Sequence, residues 1–255
     1  MTRMTRMTRM AAAPRPHTVH ELIAVLPDVH VLRDRCRALA ALDVLMGGRS
    51  GRYFDYDPGW GPGTEAGLMN NGAGDEYAIL FTPDGVFGRG FDHESSMSPY
   101  TNEDMALWPG LVDTLPEVFR PLLDEPAFCD DEVRVATVVF WRETHDTAWR
   151  AGPVEYAEYA DDGTGHLFHV LAAGTPEAYH AFARTTTHGS SIRTRSATST
   201  PCAPSRPRCS KPWPRKRTRS PWRRRWRRRG TPWRAVECDG RRIRALCRVM
   251  AVPPE

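Results

Sequence analysis

No lysine occurs before Lys211, and neither tyrosine nor phenylalanine occurs after Tyr179 and Phe182. Nowhere does the chain approach the ~20 consecutive apolar residues of a membrane-spanning helix, which excludes a helical membrane protein. Six cysteines are present, at 36, 129, 202, 209, 238 and 247. None of their spacings is the two-to-four-residue interval that closes a zinc tetrahedron, so no metal and no cofactor is expected. The chain also lacks GxSxG, HExxH, Walker and Rossmann patterns, which removes the common motif-based routes to an activity.

What the chain does hold falls into two chemically opposite parts. Residues 1–184 carry 15 arginines against 28 acids, a net charge of −13. Residues 185–255 carry 20 basic residues against 3 acids, a net charge of +17. The overall +4 therefore describes neither part. Composition gives three segments: a disordered leader over 1–16, an acidic domain over 17–184, and a low-complexity Arg/Pro/Ser/Trp-rich tail over 185–255. The leader opens with a repeated MTR unit and lacks the apolar run of a secretory signal. With Cys36 and Cys129 as its only thiols, the acidic domain is expected to be cytoplasmic, with both thiols free and buried.

The tail admits two readings. Arg215, Lys216, Arg217, Arg223, Arg224, Arg225 and Trp226 combine dense cations with an aromatic ring, the pairing that neutralises phosphates and stacks on bases. A non-specific nucleic-acid arm follows from that reading. Alternatively, the tail is a GC-rich gene translated out of frame. A one-base shift turns Ala codons into Arg codons and Val codons into Trp codons, yielding the composition seen here. Restoring the frame regains Tyr, aliphatic and acidic residues and ends in an Ala-rich stretch of high helix propensity. Composition favours the frame shift. Too few aliphatic residues remain in the tail to offset the ~1–2 kcal/mol of backbone entropy per ordered residue.

Within the acidic domain, His20–Leu26 and Asp28–Met46 read as helices, the second carrying Val29, Leu32, Cys36, Leu39, Leu42 and Met46 as one apolar stripe. Arg52–Asp57 reads as a strand and Gly59–Gly63 as a turn. Asp75–Phe81 and Val86–Phe91, joined by Pro83–Asp84–Gly85, form a β-hairpin pattern. Leu111–Leu123 reads as helical with an interruption at Pro116, Arg134–Trp141 as a buried strand, and Gly152–Tyr159 as an edge strand. Thr175–Pro176–Glu177 supplies an N-cap, a first-turn proline and an acid for a helix running to Arg184. Together these predict an α+β domain: a small antiparallel sheet with flanking helices, followed by a disordered basic tail.

Three polar groupings could carry chemistry. Asp92, His93 and Glu94 follow a strand end, where a histidine between carboxylates suits acid–base work or metal ligation. Neighbours on an extended chain point to opposite faces, so a polar turn that caps the next segment is the plainer expectation. Glu143, His145 and Asp146 read as a solvated loop. His166 and His169 share a helix face by spacing, and read as surface. Trp60, Trp108, Trp141 and Trp149 read as core rather than as a ligand groove. The expectation is a non-enzymatic binding or regulatory domain with a protein or small-molecule ligand. Its alternatives are nucleic-acid binding by the tail and an enzyme using Asp92, His93 and Glu94.

The segment GDEYAILFTPDGVFGRGFDHESSMSPY, together with WPGLVDTLPEVF, EPAF and TPEAYHAFAR, resembles a group of uncharacterised proteins from GC-rich, actinobacterial-type bacteria. The resemblance spans about Leu32 to Arg184. It implies a soluble cytoplasmic domain, transfers no activity and no site residue, and ends where the composition breaks.

Overall fold

The computed structural model describes residues 15–47, 52–131 and 133–190. Two helices, α1 (Val19–Val25) and α2 (Val29–Gly47), precede the sheet. Thr18 caps α1 by accepting from the Glu21 amide, which satisfies one of the free N–H groups of its first turn. Four strands follow in sequence: β1 (Phe54–Gly61), β2 (Thr64–Asn70), β3 (Glu76–Thr82) and β4 (Gly85–Phe91). A 3-10 turn at Pro99–Thr101, the short helix α3 (Arg120–Leu123), and the paired strands β5 (Cys129–Asp130) and β6 (Val133–Arg134) come next. Then come β7 (Val138–Glu143), β8 (Arg150–Ala151), α4 (Thr164–Leu167), α5 (His169–Ala173) and α6 (Pro176–Ser190). The main sheet is antiparallel throughout, in the order β1-β2-β3-β4-β7-β8. This is the α+β architecture expected from the alternation of hairpin and helix patterns.

Both faces of the sheet are covered, and the period-2 alternation of strand side chains sorts residues between two cores. Tyr77, Ile79, Phe81, Val86, Val138 and Phe140 face the layer formed by α1, α2, α5 and α6. Ala78, Leu80, Phe87, Val139 and Trp141 face Met97, Leu111, Leu115, Phe119 and Phe128, which arrive on mostly irregular chain. A strand covered on both sides reads as a continuous apolar run, which is the character of Tyr77–Phe81. On the helix face one cross-strand row runs Tyr56, Gly67, Ile79, Gly88, Phe140, Ala151. Large and small residues alternate along it. A Cβ on Gly67 would lie 2.7 Å from the Cys36 sulfur of α2, and one on Gly88 would lie 2.2 Å from the Phe140 ring.

Two buried polar locks tie helices to this sheet. Asp43 of α2 accepts from the amides of Tyr53 (2.6 Å) and Phe54 (3.1 Å) at the start of β1, and from the Tyr179 hydroxyl of α6 (3.1 Å). Asp162 accepts from the Val19 and Thr164 amides, both at 2.8 Å, and from the Tyr156 hydroxyl at 2.5 Å. It thereby caps α1 and α4 with one carboxylate.

Several local expectations are corrected. Leu111–Leu123, expected as helix interrupted at Pro116, is α-helical only over its last four residues. Its amides bond three residues back, as in Leu115 to Val112 and Phe119 to Pro116. Pro116 and Pro121 lack the N–H that helix continuation needs, yet Leu111, Leu115, Phe119 and Leu123 still point into the core at four-residue intervals. Gly152–Tyr159 forms no strand: pairing stops at Ala151. Gly152 packs directly on Gly110, where a Cβ would lie 1.9 Å from the Gly110 carbonyl oxygen. Strand β1 continues through Gly59 to Gly61, which narrows the expected turn. Strand β2 had no counterpart in the sequence reading. Helix α6 runs to Ser190, six residues past the composition break.

Candidate functional site

The β3–β4 hairpin fixes the position of the Asp92–His93 segment. Glu76 pairs with Phe91 at the open end of the hairpin, so the residues just outside that pair, Asp75 and Asp92–His93, emerge together. Asp75 is held by a turn in which the Asn71 side-chain oxygen accepts from the amides of Ala73 (2.7 Å), Gly74 (3.2 Å) and Asp75 (3.2 Å). Its carboxylate accepts from the His93 amide at 3.1 Å, lies 2.6 Å from His93 Nδ1, and accepts from the Asn71 side-chain amide. His166 of α4 reaches the other Asp75 oxygen, with Nε2 at 3.1 Å. Gly74, at φ +135°, lets the backbone lie against the His93 ring, where a Cβ would be 3.0 Å from Cγ.

Asp92 is half-buried. Its Oδ1 accepts from the Glu94 amide at 2.9 Å and its own amide donates to Thr137 Oγ1 at 3.2 Å. Gly163, at φ +81°, packs on its side chain, where a Cβ would lie 2.4 Å from Asp92 Cβ. The ligand-capable atoms of Asp75, Asp92 and His93 lie within 4.8 Å of one another. Glu94 stays outside that group: it is 86% exposed and its Oε1 lies 3.9 Å from His93 Nε2. Beyond Glu94 the chain behaves as a polar turn. Ser95 Oγ accepts from the Met97 amide and donates to the Asp161 carbonyl, and Ser98 caps the 3-10 turn.

The electrostatics follow from these contacts. The Asp75 carboxylate, by hydrogen bond and then by charge, holds the His93 imidazole above its usual range. Burial would push Asp75 up, but hydrogen bonds from the His93 ring and amide and from Asn71 outweigh it and leave the carboxyl below its usual value. Burial, joined by the charges of Asp75 and Asp161, raises Asp92 against the hydrogen bond from the Glu94 amide. The rim therefore holds a hydrogen-bonded Asp75–His93 couple beside a carboxyl whose charged form burial disfavours.

Asp75 is not among the sequence-predicted site residues, and His166 is expected there only as helix surface beside His169. Asp75 sits one residue before the hairpin, and only the register of that hairpin could have signalled it. His166 is 91 residues further along the chain. His166 and His169 do not share a helix: α4 ends at Leu167 and α5 begins at His169. The His169 ring faces Phe182. Burial pushes its imidazole below the usual range.

The second grouping behaves as a loop. Asp146 accepts from the Glu143 amide and from Arg150, and His145 is largely exposed. It is also the second set of ligand-capable side chains among the described residues. Trp60, Trp141 and Trp149 are buried, while Trp108 is half-buried and donates to the Glu155 carbonyl at 3.2 Å. Cys36 is buried and Cys129 half-buried, and both are free. A cavity of about 10 Å³ lies between Arg89, Leu122, Phe128 and Val135, enough for one water.

Arg215, Lys216, Arg217, Arg223, Arg224, Arg225 and Trp226 lie outside the described residues, as does the leader up to Pro14. No helix among the described residues is long and apolar enough to cross a membrane. Comparison with known protein families, curated proteins and solved structures gives no match.

Proposed function

We propose that the acidic domain is a non-enzymatic cytoplasmic binding domain that takes its ligand at the strand-end rim of Asp75, Asp92, His93 and His166. The observation that supports this is convergence: four side chains from three separate chain segments meet at one surface. The pocket beside Arg89, Leu122, Phe128 and Val135, by contrast, has room for about one water, where a small-molecule site occupies ~300–1,000 Å³.

A second reading is an acid–base enzyme built on Asp92, His93 and Glu94. The Asp75–His93 contact at 2.6 Å supports it, because a buried carboxylate at Nδ1 orients an imidazole and leaves Nε2 free for proton transfer. Nucleic-acid binding through Arg215–Arg229 is the third, resting on the charge and tryptophans of that segment alone.

Thermal unfolding of the full chain separates the three. The probes are divalent cations, inorganic phosphate, amino acids, nucleotides and single-stranded DNA. The binding reading expects a ligand that raises the Tm of the wild type and leaves the Asp92→Ala/His93→Ala variant unmoved. Stabilisation that is equal in both chains places binding elsewhere. Turnover abolished by the double replacement would establish the enzyme instead. DNA binding that collapses with salt and disappears on truncation at Arg184 would establish the third.

A further inference from the structure

We infer that the ligand of this rim is a divalent first-row transition cation, held by Asp75, Asp92, His93 and His166. The inference rests on the rim being the binding surface and names what it takes. Two imidazoles and two carboxylates form a mixed nitrogen–oxygen donor set. Magnesium and calcium prefer all-oxygen shells, whereas imidazole selects zinc and its first-row neighbours.

The geometry is close to what such an ion needs. Tetrahedral bonds of about 2.0–2.1 Å place ligand atoms about 3.4 Å apart. The His93 and His166 nitrogens already lie 2.6 and 3.1 Å from the two Asp75 oxygens. Asp75, Asp92 and His93 already offer ligand atoms within 4.8 Å of one another, and His166 joins them through its contact with Asp75. Three features preorganise them. Asp75 is buried and pinned by Asn71 and the His93 amide. Gly74 lies flat on the His93 ring, and Gly163 lies against Asp92. His166 belongs to α4, whose start is fixed by Asp162 bonding the Thr164 amide. The exposed imidazoles leave a face of the ion open to solvent or to a further ligand.

Cobalt(II) titration of the full-length reduced protein tests this, because the colour reports the donor atoms. The expected result is one equivalent bound with visible d–d bands and no sulfur-to-cobalt charge-transfer band in the near ultraviolet. His93→Ala and Asp92→Asn should each weaken binding by roughly tenfold or more, since even outer-shell losses cost that much. Glu94→Ala should leave it unchanged. Asp75 is left intact because its removal also dismantles the turn. A thiolate charge-transfer band, or equal binding by the wild type, His93→Ala and Asp92→Asn, would overturn the inference by moving the ion to the cysteines or elsewhere. Absence of cobalt, zinc and manganese binding would also overturn it. If another probe still stabilised the wild type but not Asp92→Ala/His93→Ala, the rim would survive as the binding surface and only the metal would be lost.

Discussion

Replacing Asp43 with alanine should remove a large share of the domain's stability. The carboxylate accepts three hydrogen bonds that join α2, β1 and α6. After truncation the Phe54 amide and the Tyr179 hydroxyl remain buried without an acceptor, while water can reach the half-buried Tyr53 amide. An unsatisfied buried donor costs about 1–3 kcal/mol, so the expected loss is about 3–5 kcal/mol. Against a total of about 5–15 kcal/mol for a domain, that is a fifth or more. Asp43→Asn keeps an oxygen facing both amides and should cost only about 1 kcal/mol. Urea unfolding followed by tryptophan fluorescence reads the change. With a slope of about 2 kcal/mol/M, the midpoint falls by roughly 1.5–2.5 M for the alanine variant. Tyr179→Phe should lose less in the Asp43→Ala background than alone, because its hydroxyl has then no acceptor to lose. A loss below about 0.5 kcal/mol for Asp43→Ala, or strict additivity with Tyr179→Phe, would refute the claim that this carboxylate locks α6 to the sheet.

Gly88→Ala should destabilise by about 1–3 kcal/mol, the cost of overpacking, since its methyl would meet the Phe140 ring at 2.2 Å; an unchanged urea midpoint would show that the ring can move aside. Arg150 hydrogen-bonds Asp146 and holds its carboxyl below the usual range, so this contribution is present above the unfolded carboxyl value of about 3.9 and fades as pH falls through the folded one. The Tm difference between wild type and Arg150→Ala should therefore shrink from pH 7 towards pH 2.5, and a constant difference would contradict the assignment. Burial pushes the Cys36 thiol up to about 12, so peptide mapping after alkylation of the native chain should find Cys36 unmodified and modified only after unfolding. Sequencing the gene across the codons for Ala183–His188 is expected to reveal a one-base break with the restored frame open beyond it. A confirmed frame would return the arginine-rich segment to the list of functional elements.

The elements with strong periodicity or punctuation were legible in the sequence. Leu32, Cys36 and Leu39 of the α2 stripe, the Pro83–Asp84–Gly85 turn of the hairpin, and the Thr175–Pro176–Glu177 start of α6 all sit where they were expected. What escaped was decided by tertiary contact. Strand β2 contains Ala66 and Gly67, poor strand formers by propensity, and is held by pairing on both sides. In Leu111–Leu123 the spacing correctly placed the buried side chains but misnamed the backbone, because consecutive three-residue turns and a helix can present the same four-residue stripe. At the rim, adjacency along the chain suggested Glu94, whereas the β3–β4 register supplies Asp75 and the packing of α4 supplies His166. Neither of those is written in local sequence.

The alternating row across the helix face has a consequence for how the chain finds its pairing. In most sheets a strand slipped by one residue betrays itself by turning its apolar set towards water. Here Tyr77–Phe81 is apolar on both faces, so a slip would cost little solvation. Shape must then reject the error. The Cys36 side chain of α2 rests above Gly67, and the Phe140 ring occupies the space above Gly88. A shift of one residue in β2 would bring Ala66 or Leu68 beneath Cys36, and a shift in β4 would bring Phe87 or Arg89 beneath Phe140. The two glycines thus act as steric keys, Gly67 for the α2 side chain above it and Gly88 for the ring of its β7 neighbour.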